Sequence, residues 1–276
     1  MFELPEYTIL ANQMTKTMKS KVIKNASLGN SPHKFVWYNR THEEFARLMY
    51  KKTVGDAYVR GRWLFMEMLP GHILVLGECG GKILFHQEQK YVPKKYHLLI
   101  NFTDGTAFTV TTQMWGAMEL YKKGEELNRK YIKDMKITPT DKDFTYQYFN
   151  KLIDECNGTD VNSTKGLLTQ NQLIPGLGNS IAQDILFNAQ LGPKHPLNNL
   201  STQQRKRLYD SIRKTLQEII AKNGRYDEYD LMGNKGKYIR IMDKNSSGKP
   251  CMKCKTKIEK IQYLGGACYY CPQCQI

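Results

Sequence analysis

Two pairs of cysteines near the end of the chain constrain its fold more than any other feature. Cys251 and Cys254 form one C-x-x-C, Cys271 and Cys274 form another, and sixteen residues separate the pairs. Each such knuckle aims two thiolates at one point while backbone amides support the sulfurs, an arrangement suited to tetrahedral zinc. Between the pairs, "KIEKIQYL" alternates like a strand, and "LGG" supplies a turn before "ACYY" returns. The reading is a hairpin built on one structural zinc ion. Paired disulfides of a secreted protein fit less well. The cysteine total of seven is odd, and the first twenty residues, with Glu3 and Glu6, do not read as a secretory signal. Cys268 lies outside the spacing and is expected to be packed, as are the lone thiols Cys79 and Cys156.

Zinc hairpins serve many kinds of protein, so the rest of the chain must decide what this one does. Lysine and arginine number 41 against 26 acids, a net charge of +15. Such an excess favours a polyanionic partner, because each neutralised phosphate releases condensed counterions. No apolar run is long enough to span a bilayer, and no basic amphipathic anchor stands out, so no membrane partner is expected. A cytoplasmic monomer is expected, nucleoid-associated if bacterial.

The chain organises into three parts. Residues 5 to 19 read as a helix, with Pro5 in the first turn and Leu10, Met14 and Met18 on one face. From "KVIKNAS" to "FTVTTQMWG" short β-rich runs follow one another, including "YVRGRWLFMEM" and a "TDGT" hairpin turn. Closely spaced strands of this kind predict an antiparallel sandwich. After Thr138-Pro139-Thr140 the pattern turns helical, ending in a long helix lined by Leu208, Ile212, Leu216 and Ile219 and stopped at Gly224. The expected fold is α+β and multidomain. Its parts are an N-terminal helix and sandwich over 1–138, a helical domain over 139–245, and the zinc hairpin over 246–276.

Between two of the helices lies "LIPGLGNSIAQDILF". Gly176 and Gly178 place a tight turn ahead of a helix N-terminus, where free backbone N–H groups and the Asn179 amide make a phosphate site. An ordinary interhelical turn would carry the same glycines, and the motif alone does not choose.

Three separated signatures then coincide: "ELPE" behind the N-terminus, "PGLGN" at the helix start, and the doubled C-x-x-C. In order and spacing across the whole chain they resemble the formamidopyrimidine-DNA glycosylase and endonuclease VIII family of base-excision repair. The resemblance implies a helix–two-turn–helix in the helical domain and DNA, damaged or abasic, as partner. It implies catalysis by the N-terminal amine, which attacks C1′ of the damaged nucleoside, and by the glutamate after it, here Glu3. Glu6 lies one turn on, where the helix dipole alone would also favour a carboxylate.

The same resemblance marks departures. Phe2 stands where the family has its proline, and Arg62 in "VRGRWLF" where it has a catalytic lysine. Arg62 keeps the charge but is a poor proton shuttle. Glu78 replaces a methionine that fills the void left by the flipped base, and Gly266 replaces a phosphate-gripping arginine. Gln113, Met114 and Trp115 occupy the wedge loop, and His97 and Lys165 fall at DNA-contacting positions. Large Phe2 argues that Met1 is retained, which displaces the terminal amine by up to about 3.5 Å. Lyase chemistry through Met1 or Phe2 is therefore expected to be weak or absent, with Glu3 still assisting water-driven base release. A DNA glycosylase and a non-catalytic binder of abasic or distorted DNA both remain open at this point.

Overall fold

The computed structural model describes residues 1–31 and 34–276, which form two compact units. The first comprises Met1–Asp134 and Ile220–Lys237; the second comprises Met135–Ile219 and Tyr238–Ile276.

The first unit begins with helix α1 (Leu4–Met18), with Glu3 at its N-cap and Pro5 in its first turn. Proline fits there because the N–H it lacks would be unpaired in any case. Leu10, Met14 and Met18 are buried along one face, as their spacing predicts. The strands β1 (Ile23–Leu28) and β2 (Val36–Tyr38) precede a short helix α2 (His42–Met49). Then come β3 (Thr53–Arg60), β4 (Trp63–Leu69), β5 (His72–Gly77) and β6 (Gly81–His86). The run closes with β7 (Leu98–Phe102), β8 (Ala107–Thr112) and β9 (Gly116–Lys122), and a single-turn helix α3 (Lys130–Lys133) follows. One sheet has the order β1-β7-β8-β6 and the other β2-β9-β5-β4-β3.

The pairings within these sheets are antiparallel except for β2 with β9, which is parallel. "YVRGRWLFMEM", expected as one run, is two strands, because Gly61 at φ 59° turns the chain between β3 and β4. One core joins α1 to both sheets, with Phe2, Tyr7 and Met14 among Leu64, Leu76, Leu98 and Phe108. Gly77 is required by packing. A Cβ there would sit 2.0 Å from the Trp63 indole, which lies flat on the strand.

The segment 220–237 belongs with this unit, so the helical span expected over 139–245 is interrupted, and the first break falls after Asp134 instead of Thr138. The cause is polar anchoring: Gln13 of α1 accepts from Leu231 N at 2.9 Å, and Leu231 itself is in the core. The segment closes on itself at a narrow neck. Lys237 N donates to Lys222 O at 2.8 Å, and a Cβ on Gly236 would lie 2.2 Å from Gly224 O.

The second unit carries α4 (Tyr146–Glu155), α5 (Thr164–Thr169), α6 (Asn179–Ala189) and α7 (Thr202–Ala221), then the hairpin β10 (Glu259–Tyr263) and β11 (Gly266–Tyr270). Leu208, Ile212, Leu216 and Ile219 are the buried face of α7. The hairpin is part of this unit, not a body of its own. Asp184 of α6 ties it in by accepting from Tyr238 Oη at 2.8 Å and from the N–H groups of Ile241 and Met242 at 3.0 and 2.7 Å.

Candidate functional site

The start of α1 converges on a buried arginine that no sequence motif announces. Arg225, 1% exposed, forks onto Glu6, with Nε 2.9 Å from Oε1 and Nη2 2.9 Å from Oε2. Nη1 lies 3.6 Å from Glu3 Oε1, and Nη2 lies 3.5 Å from Glu228 Oε1. Glu6 also accepts from Glu3 N at 3.0 Å, so one carboxylate caps the helix and grips the arginine. Burial alone would weaken the guanidinium's hold on its proton, but Glu6 and Glu3 reverse this and keep it charged. Burial also raises the Glu228 carboxyl above its ordinary range, against the pull of Arg225 and of the terminal amine.

Met1 is held at both ends. Its amine is 3.1 Å from Glu228 Oε1, and its carbonyl accepts from Arg225 Nη2 at 3.0 Å. Phe2 has a different role from the one its position suggests. Its ring is fully buried in the sandwich core, edge-on to Tyr7 with centroids 5.7 Å apart, and its N–H donates to Cys79 O at 3.1 Å. Burying such a ring contributes about 2 kcal/mol. Cys79 itself is packed, its thiol pushed up to about 12 by burial.

Around this cluster lie two of the positions that depart from the sequence resemblance, Arg62 and Glu78. Arg62 Nη1 lies 3.3 Å from Glu78 Oε2 and 3.8 Å from Met1 Sδ. Gln113, Met114 and Trp115 are exposed on the turn between β8 and β9. Gln113 N donates to Gly80 O at 2.7 Å, and a Cβ on Gly80 would lie 3.4 Å from Met1 Cα. His97, by contrast, is buried, and its Nδ1 accepts from Thr112 N at 3.0 Å. It braces the end of β8.

In the second unit, α6 opens at Gly178–Asn179, with Gly176 at φ 87° before it. Asn179 is exposed and its Nδ2 donates to Ala267 O at 3.1 Å. Lys165 is 2% exposed and its ammonium is turned onto the carbonyl of Tyr263. Both side chains therefore meet the same β10–β11 turn. Gly266 sits against Asn179, where a Cβ would lie 3.3 Å from the amide. Sequence spacing locates each residue but does not show that they share a partner.

The four cysteines of the doubled knuckle come together. The sulfurs of Cys251, Cys254, Cys271 and Cys274 all lie within 4.8 Å of one another. Lys253 N points at Cys251 Sγ and Cys274 N at Cys271 Sγ, each at 3.4 Å. An all-thiolate set supported by amide N–H groups fits a tetrahedral metal ion. Phe187, Met242 and Ile258 pack beneath it. Cys268 and Cys156 are buried outside the cluster.

Family models describe the chain in two matches. Residues 1–117 match the formamidopyrimidine-DNA glycosylase N-terminal domain, and residues 135–228 match the formamidopyrimidine-DNA glycosylase H2TH domain. A formamidopyrimidine-DNA glycosylase of Bacillus cereus is 28% identical over 277 residues, covering 99% of this chain and 98% of that protein. The Bacillus subtilis enzyme is 27% identical, with the same coverage of both chains. Among solved structures, Lactococcus lactis Fpg in complex with abasic-site DNA superposes with a TM-score of 0.85 at 25% identity, covering 99% of each chain. MutM in complex with DNA containing carbocyclic 8-oxo-G gives 0.84, also at 25% identity and 99% coverage of each chain. With both domains matched in order, and the glutamates of α1, the α6 turn and the four-cysteine cluster in place, the chain belongs to the formamidopyrimidine-DNA glycosylase family.

Proposed function

We propose that this protein is a DNA glycosylase of base-excision repair, which flips a damaged base out of DNA and excises it. The observation that carries the reading is Glu3. It is held at the N-cap of α1, 5% exposed and 3.6 Å from the Arg225 guanidinium. A carboxyl fixed in this way can protonate the deoxyribose ring oxygen or direct water at C1′. Exposed Asn179 and the first N–H groups of α6 bind a backbone phosphate, and Lys165 supports the hairpin turn beside them. Gln113, Met114 and Trp115 fill the gap left by the flipped base.

The four thiols take one zinc ion, which stabilises the hairpin. The protein acts as a monomer on DNA, in the cytoplasm, and among the described residues no helix is long and apolar enough to cross a membrane. With Met1 retained, strand cleavage through the terminal amine is weak, because Glu228 holds the ammonium at 3.1 Å.

The test is a panel of lesion-bearing oligonucleotides, each treated with and without hot alkali after incubation. Alkali-dependent breaks at one or more lesions, lost in Glu3→Gln, are expected. A panel with no base release while damaged DNA is still bound would leave the non-catalytic reading standing.

A further inference from the structure

Two indoles of the first unit stack face to face, with a third ring tilted against them, and the wedge takes only Trp115. Trp37 of β2 lies on Trp115, centroids 5.4 Å apart and planes 13° from parallel. Phe35 meets the same indole at 4.7 Å, and the Lys34 ammonium sits 4.9 Å from the Phe35 ring. Trp37 is 46% exposed and Trp115 38%, whereas Trp63, Phe65, Phe102 and Phe108 on the strands of the same two sheets are buried.

The rings are held in fixed register by two chain segments. The parallel pairing sets Trp37 opposite Ala117, and Gly116 N donates to Phe35 O at 3.1 Å. The stack also adjoins the N-terminal cluster, through the Gln113–Gly80 hydrogen bond and the packing of Gly80 on Met1.

A near-parallel pair of indoles ending in solvent, with an ammonium nearby on a chain of charge +15, matches the chemistry of a nucleobase. Every base offers a π-face, and a backbone phosphate would meet the cation. We propose that Trp37, backed by Trp115 and Phe35, is a stacking platform for an unpaired nucleobase of bound DNA, next to the gap left by the flipped one. The proposal rests on the DNA reading above and adds a residue from a different strand, 78 positions before Trp115 in the chain.

Fluorescence gives the test. The chain has three tryptophans, and the third, Trp63, is buried under Arg129. The full-length protein, with Trp37→Leu and Trp37→Phe variants, is titrated at one salt concentration with a single strand, a duplex containing a tetrahydrofuran abasic site, and a matched duplex. Quenching by the first two is expected. Trp37→Leu, which keeps apolar bulk, should weaken both about tenfold and leave the matched duplex within twofold, while Trp37→Phe restores most of the loss. Circular dichroism of each variant checks the fold. Unchanged affinities in Trp37→Leu, or equal losses on all three DNAs, overturn the platform. A wild-type protein that binds none of the three overturns the DNA reading itself.

Discussion

Arg62 and Glu78 are ion-paired, Nη1 to Oε2 at 3.3 Å, at the two positions that the sequence resemblance matches to a lysine and a void-filling methionine. Two departures that look separate in sequence are one coupled exchange. The pair is partly exposed, so it contributes under about 1 kcal/mol to stability. Its effect lies in occupying the basic group. Arg62→Lys alone should leave strand cleavage at an abasic site within threefold of wild type, because Glu78 would hold the new ammonium. Arg62→Lys combined with Glu78→Met should raise it at least tenfold. Gel assays with borohydride trapping measure both, and an equal gain in the single variant would show that the pairing does not matter.

Arg225 is the counter-charge for three carboxylates. Replacing it with methionine strands Glu3, Glu6 and Glu228 in a buried site and should cost about 3–5 kcal/mol at pH 7. Arg225→Lys should recover only part, since one ammonium cannot reproduce the fork on Glu6. Denaturant unfolding gives the comparison. The deficit of the methionine variant should shrink towards pH 4, where the stranded carboxylates can take up protons.

Asp184 gives the second unit its own pH dependence. Burial raises its carboxyl to about 6, against the amides of Met242 and Ile241, which favour the charged form. A raised carboxyl adds stability that is fully present below the unfolded value near 3.9 and is lost as pH rises through about 6. Between pH 4 and 7 the wild type should therefore lose on the order of 2 kcal/mol relative to Asp184→Asn, whatever their absolute difference. Parallel stability curves for the two proteins would contradict this.

Metal removal should act on DNA binding through the β10–β11 turn. One equivalent of zinc is expected per chain, released by a thiol-modifying reagent, with DNA affinity falling at least tenfold. Cys254→Ser should do the same. Asn179→Ala, which leaves the metal in place, should weaken damaged and undamaged duplex alike while leaving the slope of the salt dependence unchanged, because the lost amide is neutral. Full metal content with unchanged binding in Asn179→Ala would remove that residue from the interface.

The parts of this fold legible in sequence are those fixed locally. Knuckle spacing, the Pro5 start of α1, the apolar face of α7 and the glycine turn before α6 each depend on a few adjacent residues. Helix α2 is harder to read despite its capping box, Thr41 with Glu44, because only Phe45 and Met49 bury a face. Phe2 draws attention for its amine, and nothing local announces that its ring belongs to a core assembled from strands tens of residues away. Arg225 and Glu228 are hidden for the same reason. Charged residues after a helix stop read as a solvated loop until Glu6, 219 positions earlier, is placed against them.

The neck that closes residues 222–237 bears on how such a protein changes over generations. Lys222 and Lys237 hold the two ends together, and the close approach of Gly236 to Gly224 makes the segment a loop that begins and ends at one place. Insertions or replacements between the ends need not shift α7 or the strands, provided Arg225 still reaches Glu6 and Leu231 keeps its place in the core. A lineage could exchange the stretches between these anchors as a cassette, altering what they meet while inheriting the scaffold, and a protein engineer could graft them along the same seam.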